Sequence, residues 1–285
     1  MHAALAGITF AASIVNGALG YGFSSITVPL ALLFLTNRVL NPALVLVEVV
    51  LNAYVVWVNR AAVPAILHRV WPLAAGIVPG VVVGTLVISR VDPSWLKLWT
   101  FVVLLPLILL QAAGYRRAIR HERTAGAVIG GGVGALYAVT TVSGPPLAAL
   151  LSNQGLAGTE FRAAMGLVRV VESSLTAIAY GFVGLYTVQS LSLIPAIVPS
   201  LLIGVPIGAW LIRRLDAETF RRVCMSFDAW IVGIGIGTLL KTLGVVGGDV
   251  ALAIPIAVIA IDLALLYRYF SGRFRLRGRY AHAVR

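Results

Sequence analysis

Acidic side chains are scarce in this chain: 10 Asp and Glu stand against 22 Lys and Arg in 285 residues, and charged residues together make up 11%. So few charges cannot solvate the surface of a soluble domain of this length. There is one cysteine, Cys224, which excludes an intramolecular disulfide and any cysteine metal cluster. The four histidines, His2, His68, His121 and His282, fall in termini, connections or segment ends. Neither a histidine metal site nor a Ser/His nucleophile is therefore expected at depth. No GxxxxGK[ST] stretch occurs, which leaves direct driving by ATP unsupported. The first residues lack the basic region that precedes a cleaved signal, so "HAALAGITFAASIVNGAL" is expected in the mature chain. These absences point to a protein that is not an enzyme and holds no cofactor and no metal.

What is abundant is apolar. Hydrophobic residues make up 60% and the mean hydropathy is +0.97. Runs such as "VVLLPLILLQAAG" (102–114) and "ALAIPIAVIAIDLALLYRYF" (251–270) approach or reach the ~20 residues a helix needs to cross hydrocarbon. The chain reads as an all-α polytopic membrane protein; the alternation of a membrane β-barrel is missing. A net charge of +12 does not point to nucleic acid, because Arg and Lys lie between the apolar runs and orient them with the basic side in the cytoplasm. The tail "RYFSGRFRLRGRYAHAVR" (268–285) reads as such an anchor, on the inside of the plasma (inner) membrane. The expected partners are the lipid bilayer and a small anionic substrate; a homodimer is compatible with the sequence and not required by it.

The chain repeats itself. "IVPGVVVGTLVISRVDPSWL" (77–96) matches "LLIGVPIGAWLIRRLDAETF" (201–220) at a spacing of 124, which pairs Gly80 with Gly204, Gly84 with Gly208, Arg90 with Arg214 and Asp92 with Asp216. The same spacing pairs Glu48 with Glu172 and Arg38 with Arg162. Upstream, "VPLALLFL" (28–35) meets "PPLAALLS" (145–152) at a spacing of 117, which implies a seven-residue insertion near "QGLAGTE" (154–160). The resulting division is a first repeat (1–114), a basic cytoplasmic linker "YRRAIRHERT" (115–124), a second repeat (125–243), an extra C-terminal span (249–270) and a basic cytoplasmic tail (271–285).

Arginine placement predicts that the repeats are inverted. The linker, residues 213–222 and the C-terminus are basic and belong inside, whereas "VGLYTVQ" (183–189) is uncharged and belongs outside. These sides agree only if residues 125–152 cross an even number of times. Twenty-eight residues are too few for two full spans, which need roughly 40, so a re-entrant hairpin of two short helices is expected. Residues 2–36 should do the same, giving each half one hairpin plus three spans.

Two polar, glycine-rich breaks fall inside those hairpins: "GALGYGFSSITVP" (17–29) and "YAVTTVSGPP" (137–146). Irregular backbone at membrane depth survives only where protein or a water-filled cavity satisfies it. Interrupted helices at matching places in inverted repeats are the mark of a secondary transporter. The candidate substrate-binding residues are Gly20, Tyr21, Gly22, Ser24, Ser25 and Thr27 in the first break, and Tyr137, Thr140, Thr141, Ser143 and Gly144 in the second. A short helix starting after each break would present its positive end to an anion, with proline at 29 and at 145–146 suited to the helix start.

Two glycine-rich segments, each leading into a Pro-Leu apolar run in a duplicated chain, resemble the sulfite exporter TauE/SafE family of membrane transporters over most of residues 5–240. The resemblance implies export or uptake of a sulfur-containing anion such as sulfite, sulfoacetate or a related organosulfonate. Members commonly carry a denser glycine run than "GALGYGF", and "SGPP" is shorter still. A passive anion channel and a carrier of a different small organic anion are the alternatives.

Beyond the breaks, Glu48 and Glu172 lie mid-segment, where an ionised carboxylate is costly and marks a functional candidate. Asn52 and Thr176, four residues on, share their helix faces. These four are candidates for proton coupling or for lining the cavity. Arg169 either contacts the substrate or pairs with Glu172 within its own helix. Asp228 is a second candidate carboxylate, while Asp262 and Lys241 are expected at the interface. Gly76, Gly80, Gly84, Gly204 and Gly208 read as close-packing positions.

Overall fold

Long apolar runs leave the backbone nothing to bond but itself, and the α-helix is the structure in which it can. The computed structural model describes residues 1–113, 122–156, 158–214 and 216–283, and every regular element among them is helical. In chain order these are α1 (His2–Leu19), α2 (Phe23–Ala31), α3 (Asn37–Val58), a 3-10 turn (Arg60–Ala62), α4 (Val63–Arg90), α5 (Pro93–Ala113) and α6 (Glu122–Thr140). There follow α7 (Gly144–Asn153), α8 (Gly158–Phe182), α9 (Val188–Leu191), α10 (Ile194–Leu211), α11 (Ala217–Thr242) and α12 (Gly248–Ala283). Eight helical segments among the described residues are long and apolar enough to cross a membrane. Trp57, Trp71, Phe182, Leu202, Leu252 and Ile256 are each more than half exposed, a surface made for lipid rather than water. The chain is an all-α polytopic membrane protein.

Two compact units emerge, one from residues 1–100 and 116–215, the other from 101–115 and 216–285. In the first, helices of the two sequence halves interleave. On α4, a Cβ at Gly76, Gly80 or Gly84 would lie 2.0, 2.1 or 2.5 Å from the carbonyl oxygens of Ala127, Gly131 and Ala135 on α6. On α10, a Cβ at Gly208 would lie 1.9 Å from the Ile14 oxygen of α1, and one at Gly204 2.5 Å from the Ser13 Cβ. A Cβ at Gly17 of α1 would in return lie 2.1 Å from the Val205 oxygen of α10. The glycines expected to pack do so, with the interrupted helix of the opposite half. Both pairs run parallel, since residue numbers climb together along each.

The third pairing joins equivalent helices, α3 and α8. Gly166 packs against Val55 and Val56, and Arg169 reaches Glu48. Numbers rise along α8 as they fall along α3, so these two helices are antiparallel. All three pairings bridge the halves, and exchanging the halves turns α4 on α6 into α10 on α1.

The contacts correct the upstream alignment. Gly84 meets Ala135 where its counterpart Gly208 meets Ile14, and α1 ends at Gly20 where α6 ends at Thr141. The helices α1 and α6 and the breaks that follow them therefore correspond at a spacing of 121, not 117, and the later insertion is three residues, not seven. The error is one helical turn, made by aligning prolines that serve different places. Pro145 and Pro146 stand in the first turn of α7, whereas Pro29 stands in the last turn of α2 and does not start that helix.

The basic linker expected at 115–124 lies outside the described residues up to position 121. In the second unit, α12 continues to Ala283, past the expected end of the span at 270; no proline interrupts 271–283, and arginine is a good helix former. Asp262 is not interfacial. It is fully buried in α12 and accepts hydrogen bonds from Ser226 Oγ and Trp230 Nε1 of α11, both at 2.9 Å. Buried carboxylates need such donors. Asp228 is also fully buried, with neither oxygen partnered among the described residues.

Candidate functional site

Each of the two interrupted helices of the first unit, α1 and α6, stops inside the protein, and each stop is built differently. At the first break Gly20 (φ 81°) closes α1 by donating its N–H to Asn16 O at 2.7 Å, and Gly22 (φ 107°) precedes α2. Both backbones sit in the left-handed region, which glycine adopts at little cost. At the second break Thr141 takes that role at φ 55°, a conformation that costs a β-branched residue roughly 1–2 kcal/mol. Side chains compensate there. Tyr180 Oη donates to Ala138 O at 2.5 Å and Asn41 Nδ2 to Val139 O at 2.7 Å, while Asn37 Nδ2 lies 3.4 Å from the same oxygen. Carbonyls orphaned by the end of α6 are thereby satisfied out of reach of water.

The N-termini beyond the breaks also differ. In α2 the first intrahelical bond runs from Ile26 N–H to Gly22 O, so the N–H groups of Phe23, Ser24 and Ser25 precede the helical ladder. In α7 it runs from Leu147 N–H to Ser143 O. Pro145 and Pro146 have no N–H to offer, which leaves Gly144 alone. Of the two positive helix ends, the first carries more donors.

The side chains converge on two carboxylates. Glu48, fully buried on α3, accepts at Oε1 from Ser24 Oγ and from Arg169 Nη2 at 2.8 Å, and at Oε2 from Tyr137 Oη at 2.6 Å. Glu172, fully buried at the matching place on α8, accepts from Ser143 Oγ at 2.6 Å, and its Oε1 has no partner among the described residues. Each break is thus tied by a serine hydroxyl to the carboxylate of the next long helix in its own half. Arg169 does not pair with Glu172. It crosses to Glu48, because a residue three positions back along α8 faces the antiparallel α3 where Glu48 passes.

Asn52, Thr176, Arg169 and Thr27 are buried, and Asn52 Nδ2, Thr176 Oγ, Arg169 Nε and Thr27 Oγ lack hydrogen-bond partners among the described residues. Thr140 and Thr141 are used locally. Thr140 Oγ donates to Leu136 O at 2.7 Å and accepts from Val142 N, and Thr141 Oγ donates to Thr140 O at 2.7 Å. Tyr21 is packed in the apolar core, edge-on to Phe161, and Ser25 is buried beside Ser24. Asn37, Asn41 and Tyr180 were not anticipated. The signal was present: Asn37, Asn41, Glu48 and Asn52 fall four, seven and four residues apart, one stripe on a helix face. No group of three or more His, Cys, Asp or Glu suited to a metal occurs among the described residues.

Intertwined halves, two interrupted helices and a buried arginine–carboxylate centre define a membrane transporter of the interrupted-helix class. The family described as Sulfite exporter TauE/SafE matches residues 5–232, and the chain belongs to it. That family is one of membrane transporters for sulfite or related anions. No curated protein and no solved structure matches the chain significantly.

Proposed function

We propose that the protein is a secondary transporter that moves a small sulfur-containing anion, sulfite or a simple organosulfonate, by alternating access around the two breaks. The observation that carries this reading is the matched tether: Ser24 to Glu48 and Ser143 to Glu172, with Arg169 as the buried cation between the halves. An anion would be drawn by Arg169 and cradled by the N–H groups at the start of α2 and the unpartnered donors of Asn52 and Thr176. A tether that breaks on one side and holds on the other gives the site two states.

Helix directions support an inverted repeat. With α3 antiparallel to α8, α4 parallel to α6 and α1 parallel to α10, successive spans alternate only if each helix runs opposite to its counterpart. The start of α6, in the last residues of the basic linker, and the end of α10, followed by Arg213 and Arg214, then fall on one face. That face is the cytoplasmic one by the positive-inside rule.

The test is flux of labelled sulfite and of an organosulfonate into liposomes carrying purified protein, with Glu172→Gln and Ser143→Ala beside the wild type. Saturable flux that responds to a pH gradient and falls in both variants is expected. Flux that ignores both substitutions would remove these residues from the site.

A further inference from the structure

The two carboxylates are equivalent in the duplication and unequal in their surroundings, and the inequality has a use. Glu48 is held as an oxyanion ligand is held: a guanidinium and a serine hydroxyl on one oxygen, a phenol on the other. Charge-assisted donors of this kind suit a sulfonate or hydrogensulfite oxygen as well as a carboxylate. We propose that Glu48 is a built-in competitor for the transported anion: a singly charged oxyanion takes Arg169, Tyr137 and Ser24 from it, and the displaced Glu48 takes up one proton. This deepens the transporter reading and rests on it.

Charge balance supplies the argument. Arg169 is the single buried cation among the described residues of the first unit, and the buried acids there are Glu48 and Glu172. The groups facing Glu48 are Ser24 from α2, Tyr137 from α6, and Arg169 from α8, with Glu172 one turn further along α8. An anion that captures Arg169 leaves Glu48 stripped of its cation and its donors. A buried carboxylate in that condition is strongly disfavoured. A proton from the water-accessible side removes the charge and leaves the net charge of the centre as it was before the anion entered. Glu172, with a single hydroxyl donor and no cation of its own, cannot play this part, since the anion takes nothing from it. A doubly charged oxyanion would leave a negative charge that no buried cation answers, so the site selects monoanions.

The probe is methanesulfonate, which stays a monoanion throughout the working pH range, so any pH dependence belongs to the protein. Binding is measured by calorimetry on the detergent-purified full chain, in buffers of different ionisation heat. Wild type is expected to take up one proton per anion, with Kd rising about tenfold per pH unit. Glu48→Gln, with intact elution profile and thermal transition, should still bind methanesulfonate, without proton uptake and with a Kd indifferent to pH. Glu172→Gln, whatever its flux, should still take up one proton per anion bound.

Uptake that survives in Glu48→Gln, or that vanishes in Glu172→Gln instead, overturns the proposal. So does a folded Glu48→Gln that binds no anion, which would make Glu48 a support for Arg169. The wild type is decisive without any substitution: sulfate binding as tightly as methanesulfonate, or no proton uptake, sinks the idea even if Glu48→Gln fails to fold. Wild type that carries sulfite in liposomes yet takes up no proton on binding overturns this inference alone. Absence of any sulfur-oxyanion flux overturns the transporter reading with it.

Discussion

The two helix breaks occupy equivalent places in the sequence repeat and are held by different means. The first relies on backbone: two glycines with positive φ, and three N–H groups left ahead of the helical ladder of α2. The second relies on side chains: a threonine in a glycine's conformation, three donors from α3 and α8 bracing the end of α6, and two prolines that remove donors from α7. A pliable break rich in donors thus faces a braced break poor in them. The difference teaches that equivalent positions of a repeat can be held by unlike chemistry, and Arg169, whose counterpart at the spacing of 124 is Val45, adds to that asymmetry.

The comparison is broken most severely at its centre. Arg169→Gln leaves Glu48 buried without its cation, a loss of about 3–5 kcal/mol, and flux should fall to background. Thermal unfolding in detergent together with liposome flux measures both. Arg169→Lys keeps the charge and loses the planar fork, so flux should return only in part.

The packing seams come next. Gly208→Ala places a methyl 1.9 Å from the Ile14 oxygen, and its counterpart Gly84→Ala places one 2.5 Å from the Ala135 oxygen. Both should destabilise by about 1–3 kcal/mol or more, Gly208 the more. Gly7→Ala, with nothing within 4 Å of the added methyl, should not lower the unfolding temperature.

The breaks themselves are contrasted by exchanging their chemistry. Gly20→Ala should cost about 1–2 kcal/mol, because alanine resists the left-handed backbone. Thr141→Gly should come close to neutral: relief of that same strain is offset by loss of the Thr141 hydroxyl bond, itself worth about 1 kcal/mol. Equal losses at both positions would contradict the difference drawn between the breaks.

The smallest effect lies at the turn between α8 and α9. Burial pushes the Tyr186 phenol up to about 12, and its hydroxyl donates to Ala177 O at 2.8 Å. A raised value means the stabilisation is complete below the unfolded tyrosine's pKa, about 10, and is lost as pH climbs through 12. The group is half-exposed, so the loss is slight. Phenolate absorbance of the wild type minus that of Tyr186→Phe should rise only near pH 12.

Much of the candidate site was legible because lipid makes polar residues conspicuous. Glu48, Glu172, Arg169 and both breaks stood out against apolar surroundings, and burial joined Ser24 and Ser143 to the two carboxylates. The bracing of α6 was missed, since Asn37 and Asn41 acquire meaning only when α6 ends beside them. Pro29 misled for a related reason: proline reports a missing N–H, not which end of a helix it occupies.

By itself the sequence determined the class of protein, the duplication and the residues with a polar role at depth, because hydropathy and spacing are local properties that a bilayer reads directly. Only the tertiary structure decided that Arg169 belongs to Glu48 and not to its neighbour Glu172, that α4 packs on α6 and α1 on α10, and that α1 and α6 correspond one turn away from the apparent alignment. Partners across a helix interface depend on direction and register between distant segments, and those are set by which glycine backbones can close to contact.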